Sequence, residues 1–202
     1  MRYVFLDVDG VLNSDHTPDD PQSFTKLDRR NIAVFRELME CLYHRYGRDS
    51  VRIVLSSSWR RGEGVFREDD PLRGKLDTAL AREGLIIDAE TPQIGDQSGR
   101  GLEIMTWLSV HHAELDGYLV LDDCLFGDFR HYRITRHFVQ TTCCGRSGTG
   151  GLQPKHIPCA LCAIDREIRP DETGLLKNLI NAADHSPWER SAAYSIKCCG
   201  SL

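Results

Sequence analysis

Hydrophobic residues in this chain fall into short dense runs and longer, looser periodic stretches. Residues 3–8 (YVFLDV) are an apolar run with one acid inside it, closed by Asp9 and Gly10. Residues 51–55 (VRIVL) lead into three serines, and residues 117–121 (GYLVL) stop at Asp122 and Asp123. Runs of this length predict strands buried on both faces, the habit of parallel sheets. Residues 137–141 (HFVQT) predict a fourth strand. Leu27, Ile32, Phe35, Leu38, Met39, Leu42 and Tyr46 recur every three to five residues, which predicts a helix from near Thr25 to a stop at Gly47. Two more helices are expected over 75–83, ended by Gly84, and over 102–112. The order strand, helix, strand, helix, helix, strand, strand predicts an α/β three-layer sandwich on a mainly parallel, Rossmann-like sheet.

Beyond about residue 145 the pattern weakens. GRSGTGG (145–151) has linker composition, and 156–168 carries Ile157, Leu161, Ile164 and Ile168 at helical spacing. A second amphipathic piece covers 175–183, and YSIKCCGSL closes the chain as a tail or short strand. The expected division is a catalytic domain over 1–145 and a helical extension over 146–202 packed upon it.

Three apolar runs end in polar groups: Asp7 and Asp9, Ser56 to Ser58, and Asp122 and Asp123. In an open α/β sheet, ligands bind outside the carboxyl ends of the strands. If the three runs are parallel neighbours, these groups share one crevice.

Composition narrows the possibilities. The 202 residues are 41% hydrophobic and 27% charged, a globular balance. Thirty acidic against 25 basic residues give a formal charge of -5, which disfavours a protein held to nucleic acid by its overall field. No stretch has the roughly 18 apolar residues of a membrane span. The start, MRYVFLDVDGVLN, makes a poor signal peptide, because acids interrupt its apolar run. A cytoplasmic location follows as the expectation, so the eight cysteines read as thiols, metal ligands or core residues before disulfides.

A carboxylate inside a hydrophobic run is costly unless paired or bound to a cation. Asp7 and Asp9 flank Val8, and on an ideal strand they point to one side. Adjacent Asp122 and Asp123 oppose each other's ionisation, and a hard cation relieves that repulsion. Capping or turn roles explain either pair alone; together they favour an oxygen-ligand Mg2+ site.

These motifs carry a resemblance. FLDVDGVLN (5–13), VLSSSWR (54–60), RGLEIMTWL (100–108) and YLVLDD (118–123) together resemble the haloacid-dehalogenase-like (HAD) phosphohydrolase superfamily. Their combination most resembles the HAD domain of Swiss Army Knife RNA repair proteins. The resemblance implies a phosphatase in which Asp7 is the nucleophile, forming an aspartyl-phosphate, and Asp9 the general acid and base. It implies Ser56, with Ser57 as the alternate, on a phosphoryl oxygen. Arg100 at the head of its helix, or Lys75 as a rival, would neutralise the phosphoryl group. Arg60 would contact substrate phosphate or brace its loop, and Trp59 would pack or stack on a base. Mg2+ would be held by Asp7, the main-chain carbonyl of Asp9, Asp122 and Asp123, with Asp128 behind them or in a turn.

The gaps 13–51 and 60–100 each hold about one helix, too little for a full cap domain. An essentially capless, open site suits a phosphate on something large, such as an RNA or DNA end. A small molecule or a phosphoprotein is the alternative substrate, and a non-catalytic nucleic-acid or protein interaction module the alternative function. Arg130, His131, Arg133, Arg136 and His137, interleaved with Tyr132 and Phe138, form a candidate nucleic-acid track or a plain charged edge. Cys143, Cys144, Cys159, Cys162, Cys198 and Cys199 raise a zinc alternative, but helical spacing around 159–162 favours buried thiols.

Overall fold

The computed structural model describes residues 1–17, 27–60, 71–94, 99–113, 116–144 and 149–166. The expected features at 175–183 and in the last nine residues lie outside them, as does most of the first turn of 145–151. Strands β1 (Arg2–Leu6), β2 (Val51–Leu55), β3 (Ala89–Glu90), β4 (Gly117–Asp122) and β5 (Phe138–Gln140) form one sheet in the order β3-β2-β1-β4-β5. Every pairing is parallel. Helices α1 (Arg29–Tyr46), α2 (Pro71–Arg82), α3 (Arg100–Val110) and α4 (His156–Ile164) cover its faces.

The apolar runs are buried on both sides, and alternate residues divide between two cores. Val4 and Leu6 of β1, Val51, Ile53 and Leu55 of β2, and Leu119 and Leu121 of β4 pack against α1, α2 and α4 through residues such as Phe35, Leu80 and Ala160. Tyr3, Phe5, Val54, Tyr118 and Val120 face the other way, onto Ile104, Trp107 and Leu108 of α3 and onto Phe129 and Ile134. The result is a three-layer α/β sandwich, with no clear cap domain among the described residues. Residues 149–166 belong to the same structure: Leu152, Ile157 and Ile164 join the α1-side core, and the Leu152 amide donates to the Val11 carbonyl at 2.7 Å.

Several boundaries differ from those expected. Helix α1 starts at Arg29, later than Thr25, because Asp28 caps it, its carboxylate accepting from the Arg30 amide. Helix α2 starts at Pro71, four residues before the expected start, in keeping with proline's fitness for a first turn. Helix α3 starts at Arg100, where the Leu102 amide donates to Asp128 at 3.1 Å. Strand β3, unexpected from sequence, pairs only with Val54 and Leu55.

Candidate active site

The chain leaves β1 for β2 on one side and later crosses to β4 on the other, so the strand order reverses beside β1. Such a switch point opens a crevice at the carboxyl ends of the flanking strands. Leu6 pairs with Leu55 and with Leu121, which puts Asp7, Ser56 and Asp122 next in the same row. Backbone bonds extend the ladder by that one residue: the Asp7 amide donates to Leu121 at 3.0 Å and the Ser56 amide to Leu6 at 2.8 Å.

Carboxylate oxygens of Asp7, Asp122 and Asp123 lie within 4.8 Å of one another. The two acidic pairs of the sequence thus share one end of the sheet. Asp7 and Asp122 are buried and Asp123 is partly exposed. Helix α3 aims Arg100 at them, with Nη1 3.3 Å from Asp7 and 3.7 Å from Asp122. Burial pushes Asp7 up to about 8, repulsion from Asp122 adds to it, and Arg100 and a hydrogen bond from Ser57 oppose the rise. Asp122 is pushed up to about 6, again first by burial and against the pull of Arg100. A single guanidinium does not offset this much buried like charge. The donor set is all oxygen, preformed and short of positive charge, which fits a hard divalent cation.

Asp9 differs from Asp7 in burial and in partners. Strand β1 ends at Leu6, so both acids lie beyond it, and the same-side rule of an ideal strand no longer applies. The Asp9 residue is exposed, yet each carboxylate oxygen is held: Trp59 Nε1 donates to Oδ2 and Asn13 Nδ2 to Oδ1, both at 2.9 Å.

Of the three serines, the structure brings Ser57 to Asp7, while the Ser56 hydroxyl lies 3.5 Å from that of Thr91. Arg60 braces its loop. Its Nη1 donates to the Thr91 hydroxyl at 2.6 Å, to the Pro92 carbonyl at 2.9 Å and to Glu103 at 2.8 Å. Both members of this ion pair are buried, at 8% and 4% side-chain exposure. Lys75 lies on α2, whose Leu76 and Leu80 pack into the α1-side core. Among the described residues, Arg100 is the cation that acts on both Asp7 and Asp122.

Residues not singled out from sequence complete the frame. Thr141 donates its hydroxyl to the Gly10 carbonyl at 2.6 Å, tying the first acidic turn to the end of β5. Glu103 accepts from Arg60 and, through its other oxygen, from the Ile94 amide at 2.9 Å. Asp128, which the sequence did offer as a residue behind the metal ligands or in a turn, accepts from the Leu102 amide at the start of α3. These are long-range contacts with no local sequence signature. The basic run 129–138 occupies the return from the carboxyl end of β4 towards β5, with Phe129 and Ile134 buried beneath it. Among the described residues, the Cys143–Cys144 and Cys159–Cys162 pairs enter no metal-holding group of three, and all six described cysteines are free. Cys159 and Cys162 are exposed, not buried as expected, because α4 turns Ile157, Ala160, Ala163 and Ile164 to the core instead.

Parallel sheet, switch-point crevice and convergent aspartates define a HAD-like phosphohydrolase, whose catalytic motif is consistent with an aspartyl-phosphate mechanism. The match with a known family is more particular. Residues 3–150 match the HAD domain in Swiss Army Knife RNA repair proteins, and the chain belongs to that family. No curated protein and no solved structure matches the chain significantly. No helix among the described residues is long and apolar enough to cross a membrane.

Proposed function

We propose that the protein is a Mg2+-dependent phosphomonoesterase acting on terminal phosphates of RNA or DNA. The observation that carries the chemistry is the meeting of Asp7, Asp122 and Asp123 at one point, with Arg100 upon them. Asp7 attacks phosphorus, the bond to the leaving oxygen breaks, and Asp9 supplies the proton that oxygen needs. Asp9 then takes a proton from water as the water oxygen attacks, releasing phosphate and restoring the Asp7 carboxylate. Ser57, already hydrogen-bonded to Asp7, and Arg100 bind phosphoryl oxygens, with Ser56 next to Ser57 as the alternate. Asp7, the Asp9 carbonyl, Asp122 and Asp123 would hold Mg2+, which supplies charge neutralisation when bound.

The polynucleotide substrate is supported by family membership and by the gaps between motifs, too short in the sequence for a full cap. Cytoplasmic residence agrees with the free thiols. Hydrolysis of an aryl phosphate with and without Mg2+ tests the chemistry, and full activity in Asp7→Asn protein refutes Asp7 as nucleophile. A panel of 3′-phosphorylated oligonucleotides, phosphopeptides and small metabolites tests the substrate. Preference for the oligonucleotides is expected, and strong preference for one metabolite or phosphopeptide refutes it.

A further inference from the structure

The loop 56–60 reaches both acids of the first turn with alternate residues. Ser57 hydrogen-bonds Asp7, Trp59 donates its indole N–H to Asp9, and Arg60 fixes the end of the loop to Glu103 of α3. Trp59 is 6% exposed and lies in the α1-side core, so its ring is held by packing and its N–H has a fixed direction. Asn13 grips the other Asp9 oxygen. Its own amide orientation is settled because its Oδ1 accepts from the Gly10 amide at 2.8 Å, which turns Nδ2 to Asp9. An exposed aspartate ordinarily samples several rotamers; this one is clamped at both oxygens by donors that belong to buried residues.

We infer that Trp59, assisted by Asn13, is a positioning residue for Asp9, fixing its carboxylate for the step in which water attacks the aspartyl-phosphate. This rests on the phosphatase reading above. Indole is a donor only, so Trp59 neither gives a proton to the reaction nor accepts one. Its effect is confined to where the Asp9 oxygens stand, and small displacements of a reacting group slow the step it serves.

The two half-reactions separate this role from general damage. With p-nitrophenyl phosphate, Asp7 attacks phosphorus and the P–O bond to the aryl group breaks, leaving nitrophenolate, which departs without needing a proton. Hydrolysis of the aspartyl-phosphate still needs Asp9 to take a proton from water. In Trp59→Phe protein with Mg2+, a nitrophenolate burst of about one equivalent per site is therefore expected, followed by a steady state about tenfold or more slower, with KM no higher than wild type. Replacing Trp59 with benzothienylalanine, which keeps the shape and puts sulfur where the N–H was, should do the same if the phenylalanine variant folds poorly. Wild-type kcat in either folded variant, or equal loss of burst and steady state, overturns the proposal while leaving the phosphatase reading intact. A second readout is independent of turnover. The Trp59 indole 1H–15N resonance, assigned by its loss in Trp59→Phe, should shift in Asp9→Ala protein, whereas the other tryptophan indoles hold still. An unmoved Trp59 resonance overturns the proposal even if no phosphate ester is hydrolysed. Failure of wild type to turn over any ester refutes the phosphatase reading and with it the step that Asp9 serves, and the Trp59 resonance still reports whether the indole holds Asp9.

Discussion

Gly10 is where backbone conformation and the carboxylate cluster meet. Its φ is +71°, and a Cβ built there would stand 2.4 Å from both Cγ and Oδ2 of Asp123. Non-bonded carbon atoms settle at about 3.5–4.0 Å, so alanine intrudes by roughly 1 Å and Asp123 must swing away. Gly84 is a matched control: its φ is also +71°, but nothing lies within 4 Å of its Cβ position. Left-handed backbone costs a non-glycine residue about 1–2 kcal/mol, which in a chain of this size lowers Tm by roughly 2–8 °C. Gly84→Ala should show that loss and nothing more. Gly10→Ala should show at least as large a loss, plus a fall in Mg2+ affinity of about tenfold or more, roughly 1.4 kcal/mol. Isothermal titration with Mg2+ and thermal melts of both variants make the comparison. Equal Mg2+ affinity in Gly10→Ala and wild type would remove Asp123 from the metal set, and a matching affinity loss in Gly84→Ala would show that backbone strain, not the collision, was responsible.

In protein stripped of divalent cations, stability should fall as pH rises from about 4 to about 8. Burial first, then repulsion from a neighbouring carboxylate (Asp122 on Asp7, Asp123 on Asp122), raises Asp7 to about 8 and Asp122 to about 6 from an ordinary 3.8, so the folded state binds more protons than the unfolded across that window. Mg2+ relieves the repulsion, so the rise in Tm on adding it should be larger at pH 8 than at pH 5; an equal rise at both refutes the linkage. The Arg60–Glu103 pair makes a separate prediction. Truncating Arg60 to alanine strands a buried carboxylate and should cost about 3–5 kcal/mol in urea unfolding, whereas Arg60→Met with Glu103→Leu should recover part of it. A cost below about 1 kcal/mol for the single variant would refute the brace.

How much of this was legible before the structure depends on where each residue's role originates. Strands β1, β2 and β4 announce themselves because both faces are covered and their sequences are almost wholly apolar. Strand β3 is two residues, Ala89 and Glu90, with no hydrophobic signal; only the neighbouring Val54 and Leu55 make it a strand. The aspartates are legible for the same reason as the strands. They stand in pairs at the ends of apolar runs, and the sheet order does the rest. Trp59 and Asp9 lie 50 residues apart, and Asp128 lies 26 from Leu102, so their contacts exist only once the sheet has formed.

The serines show how packing settles what a motif leaves open. In SSSWR each hydroxyl is chemically the same, and a shift of one residue exchanges Ser56 for Ser57. Alternation forbids that shift on energetic grounds, because a one-residue slip of β2 would turn its whole apolar set to the opposite face. Val51, Ile53 and Leu55 face α1, and Leu55 stands level with Leu6. With that register held, Ser56 continues the ladder through its amide, its hydroxyl lies beside Thr91, and Ser57 reaches Asp7. The same loop then carries Trp59 back to Asp9 and Arg60 out to Glu103. The hydrophobic residues that never approach the crevice thereby decide which polar groups line it, and a core mutation in β2 that relaxed its register would disturb the site before it unfolded the protein.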